Sequence, residues 1–82
     1  MDKAEVETRV KKVIATVLEI DADEIKPESN FVFDLGADSQ QSIELVAGFE
    51  EEFEIEMDEA KALAVQNVAD AVNFIAEVVN AA

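Results

Sequence analysis

The residue best placed for chemistry in this chain is Ser39, in the stretch "LGADSQQSIELV" at residues 35–46. Asp38 before it and Gln41 two after it form a capping-box pattern, in which a carboxylate accepts from first-turn amides and the third residue reaches back. Ser39 is therefore expected to open a helix. The positive end of a helix dipole favours an anionic group such as a phosphate there. A serine at a helix start needs no special role, and structure alone is the default account of it. As an unassisted nucleophile it fails, because the chain has no histidine and nothing marks any lysine as a base.

Other chemistry is scarcer still. The chain has no cysteine, histidine or tyrosine, so disulfides, thiolate ligands and the commonest general base are absent. "DADE" at 21–24 opens like a calcium loop, but from Asp21 the fifth, sixth and twelfth positions are Ile25, Lys26 and Val32. Those residues supply neither the oxygen ligands nor the glycine the loop requires, so no metal site is assigned. Carboxylate pairs are everywhere, yet they lack a partner acid or base and a deep cleft to work in. No catalytic residues are assigned, and the chain is not expected to be an enzyme.

The elements that position Ser39 follow from periodicity. Val6, Val10, Val13, Ile14, Val17 and Leu18 form one helical stripe, and Asp2 with Glu5 caps it, which predicts a first helix over about 3–18. A second helix is predicted over about 39–53, with Leu45, Phe49 and Phe53 toward the core and Ile43, Glu44, Ala47, Glu50 and Glu51 on a neighbouring side. Gly48 in mid-helix suggests a close helix approach. Asp58 caps a short helix over about 59–64, and Asn67 caps a last one striped by Val68, Ala71, Val72, Ile75 and Val79. Between helices one and two, Pro27, Asn30 and Gly36 oppose helix, while Ile20, Ile25, Phe31, Phe33 and Leu35 are expected to pin the long connection across the core. The expected fold is all-α: a four-helix bundle of three longer helices, one short helix and a long ordered loop.

Residues 1–82 suffice for one small domain. Twenty acids oppose six bases, for a net charge of −14, and no base occurs from Asp34 to Glu59. Such a field makes nucleic acid and anionic lipid surfaces poor partners. It suits either simple solubility or docking to basic proteins. No apolar run approaches a membrane span and no leader pattern is present, so a cytoplasmic monomer without stable membrane insertion is expected.

"FVFDLGADS" followed by "IELVAGFEEEF" resembles the acyl carrier proteins of fatty-acid and polyketide synthesis. "VETRVKKVIATVLEI" is similar to that family's first helix and "VADAVNFI" to its last. The resemblance implies that Ser39 receives 4′-phosphopantetheine from coenzyme A, with Asp38 and Gly36 as the matching motif residues. The working thiol would then arrive on the cofactor. The implied function is to carry acyl intermediates as thioesters to enzymes of fatty-acid or related lipid and polyketide biosynthesis. The implied partners are a phosphopantetheinyl transferase and acyl synthases and transferases with basic docking patches.

Gln40, Ile43, Glu44, Ala47, Glu50 and Glu51 would form the partner-binding face, and Val46, Ala62, Val65 and Val68 would line space for the acyl chain. The family's leucine after the serine is Gln40 here, its acid is Gln41, and a bulky residue on that face is Ala47, departures that leave general fatty-acid synthesis and a specialised pathway both open. The competing account is an acidic interaction domain that keeps the carrier fold without a functional arm.

Overall fold

Each helix begins where a short polar side chain reaches an otherwise unpartnered first-turn amide. In the computed structural model, which describes residues 1–81, Asp2 accepts from the Ala4 N–H, Asp38 from Gln41 and Asp58 from Lys61. Asn67 Oδ1 accepts from the Asp70 N–H at 2.8 Å. The helices they open are α1 (Lys3–Leu18), α2 (Ser39–Phe53), α3 (Glu59–Ala64) and α4 (Val68–Ala81), with one 3₁₀ turn at Ala22–Glu24. These are the all-α elements and bounds expected from periodicity and caps. Helices α1 and α2 both end on a glutamate in the left-handed region, Glu19 at φ 56° and Glu54 at φ 54°.

Helix α1 is the spine. It packs against both α2 and α4, whereas α2 and α4 meet each other much less. Its buried Val6, Val10, Val13 and Ile14 join Leu45, Phe49 and Phe53 of α2 and Val68, Ala71, Val72 and Ile75 of α4 in one apolar cluster. The α1–α2 contact is close at Gly48, where a Cβ would stand 2.8 Å from Val13 Cγ1. The glycine that weakens α2 as a helix is what lets α1 approach.

The long connection is ordered by two devices. Ile25, Phe31 and Ala37 are buried, and Ile20 and Leu35 pack half-buried against the core. Backbone bonds then stitch the connection to the start of α4: Phe31 N–H to Gln66 O at 3.0 Å, Val68 N–H to Ser29 O at 3.0 Å, and Ala69 N–H to Pro27 O at 2.9 Å. Asn30 and Asn67 thereby form an isolated antiparallel bridge.

Phe33 departs from expectation. It does not pin the loop to the core but stands 88% exposed. The turn around it is closed through Asn30, whose Oδ1 accepts from both Val32 and Phe33 N–H at 2.9 Å. That turn reverses the chain between Phe31 and Ala37, so the residues at its tip face outward.

Candidate functional site: a serine between an exposed helix face and a cavity

Asp38 and Gln41 complete the box at the start of α2. The Gln41 N–H donates to Asp38 Oδ1 at 2.7 Å, and the Asp38 N–H donates to Gln41 Oε1 at 3.1 Å. Capping is thus done by the residues either side of Ser39. Ser39 itself is the first residue of a 15-residue helix and is exposed. Its hydroxyl is left available for another use. Gly36, at φ +75°, has nothing within 4 Å of where a Cβ would lie, so its role is conformational. It lets the chain turn into α2, with its N–H donating to Val32 O at 3.2 Å.

Two surfaces meet at Ser39. Gln40, Ile43, Glu44, Ala47 and Glu51 follow one another at i, i+3, i+4, i+7 and i+11 and are all exposed. They make one continuous face of α2. Glu50, grouped with them on sequence, is half-buried, and its Oε2 accepts from the Met57 N–H at 2.9 Å. It ties the α2–α3 connection as well as adding charge.

On the other side lies a cavity of about 300 Å³, framed by α2, α3, α4 and the loop before α2. Ser42 and Val46, at i+3 and i+7 from Ser39, both line it. Ser39 therefore sits one helical turn from the cavity wall, about 4.5 Å along the axis.

Of the four residues expected to line this space, Val46, Ala62 and Val65 stand on its wall. Val68 does not. It is fully buried in the central cluster, and its N–H is spent on Ser29 O. Three residues beyond Val65, across the extended Val65 that ends α3, it has turned away from the cavity.

The wall also includes Phe31, Phe49, Met57, Leu63, Phe74 and Ile75, which the sequence pattern assigns to the core or leaves unassigned. On α2 the wall residues Ser42, Leu45, Val46 and Phe49 recur at helical spacing, a visible signal. What that signal lacks is whether the facing helix closes against it.

A family model described as a phosphopantetheine attachment site matches residues 8–75. The chain belongs to the acyl carrier protein family. It is 47% identical over 73 residues to an acyl carrier protein of Picosynechococcus sp., covering 89% of this chain and 90% of that one. It is 54% identical over 67 residues to an acyl carrier protein of Clostridium acetobutylicum, covering 82% and 87% respectively. As a member of the family, the chain carries acyl intermediates on a 4′-phosphopantetheine arm. Carriers of this family present acyl groups to biosynthetic enzymes and do not transform them.

The helix start fits such a group. An exposed hydroxyl free of capping duty, on the first residue of a long helix, offers a point for a phosphodiester where unpartnered amides and the dipole favour negative charge. Beside it, Ser42 and Val46 lead into a largely apolar cavity that can take an acyl chain out of water. Among the described residues, no helix is long and apolar enough to cross a membrane.

Proposed function

We propose that Ser39 is the attachment residue of a single carrier domain over residues 1–82, a cytoplasmic, non-catalytic monomer that delivers acyl thioesters to enzymes with basic docking patches. The observation that carries this is the division of labour at the α2 start: Asp38 and Gln41 cap, and Ser39 is exposed and uncommitted. The bound arm supplies a terminal thiol on which acyl groups are held as thioesters. Asp38 fixes the first turn, so the Ser39 hydroxyl is presented at a defined place to a transferase, which must supply the base the chain lacks.

Gln40, Ile43, Glu44, Ala47 and Glu51, with Glu50 at their margin, offer the docking face. Their charge steers a basic partner, and Ile43 with Ala47 offers a shallow apolar contact. An amide at Gln40 disfavours partners whose pocket expects an apolar side chain, since burying it unpaired costs roughly 1–3 kcal/mol. That penalty supports a dedicated pathway over general fatty-acid synthesis.

The test is intact mass after incubation with coenzyme A and a broad-specificity phosphopantetheinyl transferase. One phosphopantetheinyl group should be added to the wild type and none to Ser39→Ala. Unmodified wild type would favour an acidic interaction domain without an arm. Modification of the variant at Ser29 or Ser42 would move the site.

A further inference from the structure

Among the described residues, five large hydrophobic side chains are exposed: Met1, Val32, Phe33, Ile43 and Leu63. Ile43 belongs to the docking face, and Met1 Sδ lies 3.7 Å from Arg9 Nη1. The remaining three, Val32 at 55%, Phe33 at 88% and Leu63 at 42% exposed, all line the cavity beside Ser39. A side chain that is both wall and surface stands at a mouth. Here the mouth is apolar on two sides, with Val32 and Phe33 on the loop before α2 and Leu63 on α3.

Phe33 is held outward by its backbone. Its N–H donates to Asn30 Oδ1 at 2.9 Å, and the Asn30 N–H donates to Asp34 Oδ2 at 2.6 Å. Asp34 and Leu35 N–H both donate to Asn30 O, at 2.9 and 3.0 Å. Asn30 is in turn bridged to Asn67 at the start of α4. A phenyl ring fixed in water is unfavourable surface unless something covers it during the working cycle. A second copy of this chain is a poor cover, because each molecule carries a net charge of −14. An acyl chain entering the adjoining cavity is an apolar cover that needs no partner. The space the cavity offers is about 300 Å³. At about 30 Å³ per water, it holds roughly ten non-hydrogen atoms. A longer chain extends past it, toward the exposed wall residues Val32, Phe33 and Leu63.

We propose that Phe33, with Val32 and Leu63, forms a rim that closes over the acyl chain where it leaves the cavity, and that Phe33 determines which chain lengths are shielded. The proposal rests on attachment at Ser39. Phe33 contacts the cargo beyond the length the cavity holds, so it discriminates long chains from short ones and leaves short ones untouched.

The experiment loads acetyl, hexanoyl and dodecanoyl groups onto the wild type, Phe33→Ala, Phe33→Glu and Phe33→Leu from the corresponding acyl-coenzyme A with a transferase. Thioester release by hydroxylamine is followed by intact mass, and the melting temperature of each acyl form is compared with its holo form. Wild type should release dodecanoyl more slowly than acetyl. Phe33→Glu should speed dodecanoyl release by roughly three- to tenfold, the scale of losing part of one phenyl contact. Acetyl and hexanoyl rates should not change, Phe33→Leu should retain most of the protection, and Phe33→Glu should lose the extra melting temperature that dodecanoyl confers on wild type.

Apo forms should melt alike, because the ring packs little in the free protein. Dodecanoyl protection equal in wild type and Phe33→Glu would overturn the rim while leaving Ser39 in place. So would equal release of all chains from wild type, or a Phe33→Glu effect confined to the loading rate, which would make Phe33 a contact for the transferase. Failure of the wild type itself to load would instead overturn attachment at Ser39, and the rim with it.

Discussion

Arg9 grips Glu52 twice across 43 positions of sequence: its Nε donates to Glu52 Oε2 at 2.7 Å, and its Nη2 donates to the Glu52 carbonyl at 2.7 Å. The guanidinium also lies 4.9 Å from the centre of the Phe53 ring. One side chain of α1 thus satisfies a carbonyl in the last turn of α2, where the helix cannot, and places positive charge at the negative end of its dipole. It is also an ion-pair partner for a stretch of chain that has no base of its own.

That grip has a pH signature. The hydrogen bond from Arg9 holds the Glu52 carboxyl below its usual value of 4.5, with burial opposing and the charges of Lys12 and Arg9 assisting. A depressed folded-state value adds stability that is fully present above the unfolded value and lost as pH falls through the folded one. The stability gap between wild type and Glu52→Gln should therefore be constant from neutral pH to about pH 5 and close at more acid pH. Denaturant unfolding of both proteins across that range checks it. A gap that stayed constant on acidification would show that the pair contributes nothing through Glu52's charge.

Asp38 and Ser39 are neighbours with opposite expected behaviour. Asp38→Ala removes the acceptor of the Gln41 N–H and should lower stability by about 0.5–2 kcal/mol. Ser39→Ala removes an exposed hydroxyl without capping duty and should stay within about 0.5 kcal/mol of wild type. Urea unfolding of the apo forms measures both. Comparable losses would mean that Ser39 is itself part of the cap.

Gly48→Ala should destabilise despite the better helix propensity of alanine. The gain is about 1 kcal/mol, but the new methyl would meet Val13 Cγ1 at 2.8 Å, and a β-branched side chain in a helix has little freedom to move aside. Overpacking of this kind costs about 1–3 kcal/mol. Val13→Ala removes the obstructing methyl, so Gly48→Ala should be markedly less harmful in that background. A double-mutant cycle reads the coupling directly, and additive effects would place the two residues out of contact.

Glu44 and Glu50 should separate charge steering from structure. Glu44 is exposed on the face proposed for docking, so Glu44→Lys should slow association with the transferase at low ionic strength and leave the melting temperature close to that of wild type. Glu50→Lys should also lower the melting temperature, because it removes the acceptor of the Met57 N–H. Gln40→Leu should act on residence time instead, lengthening the complexes formed with general fatty-acid synthesis enzymes. Stopped-flow association and dissociation at two salt concentrations, together with melting curves, resolve all three.

The limits of the helices were legible because their signals are local. Asp2, Asp38, Asp58 and Asn67 each meet a first-turn amide two or three residues away, so a short window of sequence holds both partners. The Ser39 setting is local in the same sense, and so is the face from Gln40 to Glu51, which needs nothing beyond the helical repeat. Phe31 and Phe33 show where that legibility ends. They are the same residue type two positions apart, yet one is buried and the other exposed. What separates them is a turn closed on Asn30 and a bridge to Asn67, far along the chain.

The cavity is of the same kind. The α2 and α4 stripes read as ordinary core faces, and either could have closed on the other. Instead both lie on α1 and stay apart, so Val46 and Val65 line a space while Val68 fills the centre. A helical stripe states which side turns from water. The distance to the facing side chain is set by every other packed contact, including a glycine at position 48 that brings α1 close to α2, and so it exists only in the assembled fold.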